Sequence, residues 1–110
     1  KRFDSYKNSE DFIQKYIFPG GMVHPLNRIL DLAKKKSTIK VIEINDISTN
    51  YVNTLHDWKI NFNKNINKVN QLGFDDIFVR KWNYYFDYCA AGFKNNLIGN
   101  SQILFSKPLK

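Results

Sequence analysis

Residues 48–62 read STNYVNTLHDWKINF. At helical spacing Tyr51, Leu55, Trp58 and Phe62 recur at i, i+4, i+7 and i+11, laying one aromatic and aliphatic stripe along an otherwise polar helix. Ser48, Thr49 and Asn50 are side chains that bond the free N–H groups of a first helical turn, so a capped start is expected there. Such a stripe must face something apolar. It is either the core-facing side of a helix or a pocket wall with Tyr51 as a polar group at the mouth, and the stretch alone leaves both open.

Downstream, Ile66 and Val69 continue the apolar side, so the helix is expected to run to about Leu72, where Gly73 stops it. Asp75 and Asp76 then open a second long helix with Phe78, Trp82, Tyr85, Cys89 and Phe93 at steps of 4, 3, 4 and 4, closing in Ala90, Ala91 and Gly92. Two facing aromatic stripes of this kind would line a deep apolar groove. Gly99 and Asn100 are expected to turn the chain into a short final strand, Ile103 to Phe105, ended by Pro108.

Upstream, Lys1 to Asn8 has no clear period and reads as a loop or short turn. Ser9 as cap, Glu10 and Asp11 in the first turn, and Phe12, Ile13, Tyr16 and Ile17 on one face predict a short helix, which Pro19-Gly20-Gly21 ends. Pro25 suits the first turn of a further helix lined by Leu26, Ile29, Leu30 and Ala33. Lys34, Lys35 and Lys36 complement its terminal carbonyls. Ile39 to Ile44 is a β-branched run expected to form a strand with at least one buried face, broken by Asn45-Asp46.

The totals narrow the function. A chain of 110 residues is at most one domain, and a first residue other than Met suggests a fragment or a carboxy-terminal domain. A formal charge of +7 favours anionic partners without choosing among phospholipid head groups, nucleic acid and a phosphorylated cofactor. Cys89 is the single cysteine, which excludes an internal disulfide and a Cys-rich metal site; His24 and His56 stand in different segments without metal-ligand spacing. No stretch approaches the length of a membrane span. There is no glycine-rich phosphate loop, nucleophile elbow or paired His and Cys. Tyr51, at the start of its helix, lies near the positive end of the backbone dipole, a place suited to an anion. Cys89 reads as a small apolar wall or core residue.

YIFPGG at 16–21, Tyr51-x-x-Thr54-Leu55-x-x-Trp58, Phe78-x-Arg80-x-Trp82-x-x-Tyr85-x-x-x-Cys89-x-x-x-Phe93 and a late Gln102 together resemble the carboxy-terminal part of the cyclopropane-fatty-acyl-phospholipid synthase and mycolic acid cyclopropane synthase family. The resemblance covers nearly the whole chain in order and spacing. It implies an α/β fold, the carboxy-terminal portion of a class I Rossmann-like methyltransferase, mostly helical with the last two strands of the sheet. Residues 1–110 would then be one fragment on the lipid-substrate side, with the cofactor-binding half upstream. The implied activity is S-adenosylmethionine-dependent addition of a methylene across a cis double bond of membrane phospholipid acyl chains. The enzyme would be cytoplasmic and peripheral at the membrane, and the fragment inactive alone. The resemblance places a ligand of the family's bicarbonate ion on Tyr51, and acyl-pocket residues on Leu55, Tyr85, Cys89 and Phe93, with Pro19 nearby. Many members have His before the motif Tyr, where this chain has Asn50.

Other readings stay open at this level. Relatives with similar motifs methylate amines or form a methyl branch without a ring, and a lipid-binding remnant would keep the pocket without the chemistry. Nucleic-acid binding is disfavoured because the aromatics fall on helical inner faces and not on an exposed sheet. The residues leave the oligomeric state open.

Overall fold

The computed structural model describes residues 2–109, which run α1 (Arg2–Tyr6), α2 (Phe12–Tyr16), α3 (Leu26–Lys36), β1 (Lys40–Asp46), α4 (Ser48–Lys64), α5 (Ile66–Gln71), α6 (Asp76–Lys94) and β2 (Ser101–Ser106). They fall into two units, one of residues up to 45 and from 101 onward, the other of residues 46–100.

In the first unit, α1 replaces the loop expected before Asn8, Lys1 lying outside the described residues. A five-residue helix is too short to hold by propensity, and Phe3 supplies the anchor. Its ring meets those of Tyr6 and His24 at 6.4 and 6.0 Å, and the Arg28 guanidinium stands 5.5 Å from its centroid. α2 starts later than Ser9 because Asp11 makes the cap. Its carboxylate accepts from the Gln14 N–H at 2.8 Å while the Gln14 side chain accepts from the Asp11 N–H at 2.9 Å, a reciprocal capping box. The Ser9 hydroxyl instead donates to the Tyr6 carbonyl. Past α2, the Gly21 N–H donates to the Phe18 carbonyl at 3.0 Å across Pro19 and Gly20, with Gly20 at φ 81°. Pro19 thus sits in a tight turn that needs glycine after it. α3 follows directly on Pro25, with the three lysines in its last turn as expected.

β1 and β2 pair antiparallel. β1 runs through Asn45 and Asp46, which were expected to break it, and every one of its residues is exposed, Ile42 at 59%. The buried face read from its β-branched run is therefore absent here. A two-stranded ladder cannot bury a face by itself.

The second unit holds all four buried apolar residues among those described, Leu55, Phe86, Cys89 and Phe93, in the packing of α4 against α6. α4 stops at Lys64, short of the expected Leu72, and Asn65 hinges it to α5. Gly73, at φ 93°, ends α5 as the sequence suggested. α6 begins where predicted, with the Asp75 carboxylate accepting from the Phe78 N–H at 2.9 Å. Its far end turns at Asn95-Asn96. Leu97 N–H reaches back to the Gly92 carbonyl at 2.8 Å and Asn96 N–H to that of Phe93 at 3.1 Å, with Asn96 at φ 53°. That bonding pattern is the Schellman helix end.

One edge of the helix pair is polar. The side-chain amides of Asn63 and Asn83 exchange hydrogen bonds at 2.7 and 3.1 Å, and Lys59 donates to both Asp87 oxygens at 2.8 and 2.7 Å. Among the described residues no helix is long and apolar enough to cross a membrane.

Candidate functional site

The start of α4 is fastened before Tyr51 is reached. Ser48 does not cap in the expected way, since no side chain caps this helix from the N-cap position, which is Ile47. Instead the Asp46 carboxylate accepts from both the N–H and the hydroxyl of Ser48, and the Ser48 oxygen accepts from the Asn100 N–H at 2.9 Å. The two Ser48 bonds hold the Asp46 carboxyl below its usual range. The Ile47 N–H donates to the Asn100 carbonyl at 3.0 Å, so both ends of this unit are tied together. An anion is thus already present at the helix start, supplied by the chain itself.

Tyr51 follows one turn on. Its ring lies 5.0 Å from Phe93 and 5.7 Å from Trp58, within the range of favourable aromatic pairs. Leu55, one turn further, is 1% exposed and the most completely buried large side chain. Below it Phe62 meets Phe86 at 5.7 Å and Phe78 at 6.5 Å. The two stripes therefore meet ring to ring along the helix seam. The face left open is a flank where Tyr51 and Tyr85 are half-buried and Trp58 is 44% exposed.

Tyr85 belongs to this flank. Its phenol is pushed up to about 12, first by burial, then by the adjacent Cys89 sulfur, to which it is also hydrogen-bonded, and last by Tyr51. Tyr85 and Cys89 stand one turn apart on α6, and the Tyr51 ring meets the same helix at Phe93. Cys89 itself is buried, in keeping with a wall or core role.

Of the residues singled out from the sequence, Tyr51, Leu55, Tyr85, Cys89 and Phe93 all lie in the second unit. Pro19 lies in the first unit, in the turn that ends α2. Phe86 was missed. The inward line of α6 is Trp82, Phe86, Cys89 and Phe93, at steps of 4, 3 and 4, with Trp82 5.9 Å from Phe86, and Tyr85 rides at its side. The signal was in the sequence, since Phe86 fits the helical period as well as Tyr85 does. The concavity lined by His56, Lys59, Ile60, Asn63 and Lys64 lies along the polar edge of α4, where Lys59 and Asn63 bond across to α6. No group of His, Cys, Asp and Glu among the described residues could hold a metal ion.

Fold and site thus describe a mostly helical chain with one antiparallel strand pair, whose helical unit presents two phenols on an aromatic wall. The chain belongs to the mycolic acid cyclopropane synthetase family, which it matches over residues 1–103. It is 30% identical over 92 residues to a tuberculostearic acid methyltransferase of Mycobacterium tuberculosis, covering 84% of this chain and 22% of that protein. It is 28% identical over 102 residues to a probable fatty acid methyltransferase of Pseudomonas putida, covering 93% of this chain and 25% of that protein. The chain therefore spans about a quarter of the length of these relatives.

Proposed function

We propose that this chain is the acyl-binding side of an S-adenosylmethionine-dependent lipid methyltransferase that adds a methylene across a cis double bond of phospholipid acyl chains. The family match over residues 1–103, with Tyr51, Tyr85, Cys89 and Phe93 gathered in one unit, carries the reading. The names of the two relatives support a fatty acyl acceptor. In this reading β1 and β2 are the last two strands of a class I Rossmann-like sheet, α4 to α6 form the lipid side, and the cofactor-binding half lies upstream. The enzyme works in the cytoplasm, peripheral at the membrane.

The described residues offer no glycine-rich loop for a nucleoside, so no cofactor contact is assigned to them. S-adenosylmethionine supplies an electrophilic methyl group for the acyl-chain alkene. Around that transfer, Leu55 and Phe93, buried behind Tyr51, hold the aromatic wall together and keep water out. The π faces of Tyr51 and Tyr85 favour the cation that develops on the acyl chain without offering it a strong nucleophile. Loss of a proton from the added methyl, with formation of a carbon–carbon bond, closes the ring.

A bicarbonate ion would supply the base. A tyrosine hydroxyl is an O–H donor suited to its oxygens. Tyr51 is the residue assigned to hold it. The helix N-terminus is a poorer place, since Asp46 already occupies the Ser48 N–H.

The test is methyl transfer by the full-length enzyme from labelled S-adenosylmethionine to phospholipid, read by mass spectrometry, with Tyr51→Phe alongside. A gain of one methylene in the acyl chains that collapses in the variant supports the reading. A branched product that keeps a double bond, formed by loss of a proton without ring closure, corrects it to a branch-forming enzyme. Transfer to small amines in place of lipid, or no transfer at all, overturns it.

A further inference from the structure

The turn between α5 and α6 exposes three large apolar side chains. Leu72 is 76% exposed, Phe74 45% and Ile77 53%. Single exposed apolar residues are ordinary on a protein surface, but three within positions 72–77 form a patch. The patch is held in shape: Gly73 turns the chain at φ 93°, and the Phe74 ring stacks on Phe78 at 4.2 Å.

The charge around it is positive. Between positions 64 and 81 stand four basic residues, Lys64, Lys68, Arg80 and Lys81, against two acidic ones, Asp75 and Asp76. One of the two acids is turned to the backbone, since Asp75 accepts from the Phe78 N–H at 2.9 Å. Lys68 is one turn before Leu72 and Arg80 one turn after Ile77, both exposed. Further along α6, Tyr84 and Tyr88 stack at 5.8 Å with both rings exposed. An apolar tip flanked by cations matches an element that dips into the acyl boundary beneath lipid phosphates, with the two tyrosines at headgroup level.

We propose that this turn inserts into anionic membranes, with Leu72, Phe74 and Ile77 entering the acyl region and Lys64, Lys68 and Arg80 meeting lipid phosphates. The proposal deepens the lipid methyltransferase reading and rests on it for the membrane as partner. Insertion is shallow, within the ~5–10 Å typical of interfacial elements. It sets the helical unit against the leaflet that holds the acceptor chains.

The test uses the full-length enzyme and vesicles of phosphatidylglycerol with phosphatidylcholine, or of phosphatidylcholine alone. Leu72→Ser with Ile77→Ser changes exposed side chains and leaves the Phe74–Phe78 stack in place. Vesicle binding by this double variant should fall about tenfold or more, given the apolar area removed, while transfer to the same lipid dispersed in detergent stays at the wild-type rate. Lys64→Gln, Lys68→Gln and Arg80→Gln together should abolish the preference for anionic vesicles. An environment-sensitive dye on Leu72→Cys should shift to the blue when vesicles are added. Undiminished vesicle binding by the double variant, or a dye already shielded before lipid is present, overturns the insertion tip. Wild-type enzyme that binds vesicles through the tip yet methylates no lipid, in vesicles or detergent, overturns the enzymatic reading and leaves the tip standing.

Discussion

The Tyr51 ring lies 5.0 Å from that of Phe93 at an interplanar angle of 56°, joining the first turn of α4 to the last turn of α6. Its hydroxyl takes no hydrogen bond among the described residues and is not sealed from solvent. Ring and hydroxyl are therefore separable: the ring packs the two helix ends together, and the hydroxyl takes no part in that packing.

Tyr51→Phe keeps the ring and removes only the hydroxyl. Unfolding of the full-length enzyme in urea should shift by no more than about 0.5 kcal/mol, the scale of a change that breaks no internal bond. Methyl transfer should fall by about 10²-fold, the effect of losing one positioned donor at a reacting centre. A large stability loss with activity intact would make the Tyr51 hydroxyl a structural group only.

Leu55→Ala removes the best-buried side chain, at 1% exposure, from between the two helices. The loss of apolar contact plus the cavity left behind should cost about 2–5 kcal/mol. Leu55→Met, nearly equal in volume, should cost less than about 1.5 kcal/mol. Denaturant titration of both variants decides it; equal, small losses would mean that the helix pair readily collapses around the gap.

The sequence displayed the second unit more fully than the first. Tyr51, Leu55 and Phe62, and Trp82, Cys89 and Phe93, follow a period that has one physical meaning, so the α4–α6 pairing is legible from periodicity alone. Asp75 and Gly73 marked their own boundaries for the same local reason. What could not be read depended on residues far apart in sequence. Ser48 looks like an N-cap until Asn100, 52 positions on, takes its hydroxyl oxygen as an acceptor. Arg2–Tyr6 looks like a loop until His24 and Arg28 close on Phe3. Ile42 looks buried because β-branched runs usually are, and among the described residues its strand has one neighbour. At the site, Phe86 and Tyr85 compete for one helical face, and periodicity does not say which is inside.

Tyr85 gives the pH dependence. Its phenol ionises near 12 in the folded chain against 10.0 as the ordinary value, chiefly because burial opposes the charged form. Below pH 10 both folded and unfolded chains keep the proton, so its contribution is fully present; as pH rises toward 12 the unfolded chain releases the proton first and stability is lost. Tyr85→Phe should therefore lose less stability than the wild type across that window, while matching its pH dependence at neutral pH. Alkaline unfolding followed by circular dichroism measures the difference. Superimposable alkaline curves would show that Tyr85 is as freely ionised folded as unfolded.

Asn96 sits at φ 53°, in the left-handed region, and its position ends α6 through the Leu97-to-Gly92 and Asn96-to-Phe93 bonds. Asparagine tolerates this conformation and glycine adopts it without penalty, whereas a β-branched side chain collides with its own backbone. Asn96→Gly should leave the melting temperature unchanged or slightly raised, and Asn96→Val should cost about 1–2 kcal/mol. Because Phe93 contributes its carbonyl to that turn and its ring to Tyr51, the valine variant should also loosen the site. Faster amide exchange at Leu97 and weaker methyl transfer are expected together, with both restored toward wild type in Asn96→Gly. Normal exchange at Leu97 in Asn96→Val would mean that the helix ends by another turn in solution, and that the Phe93 ring is held by its packing against α4 alone.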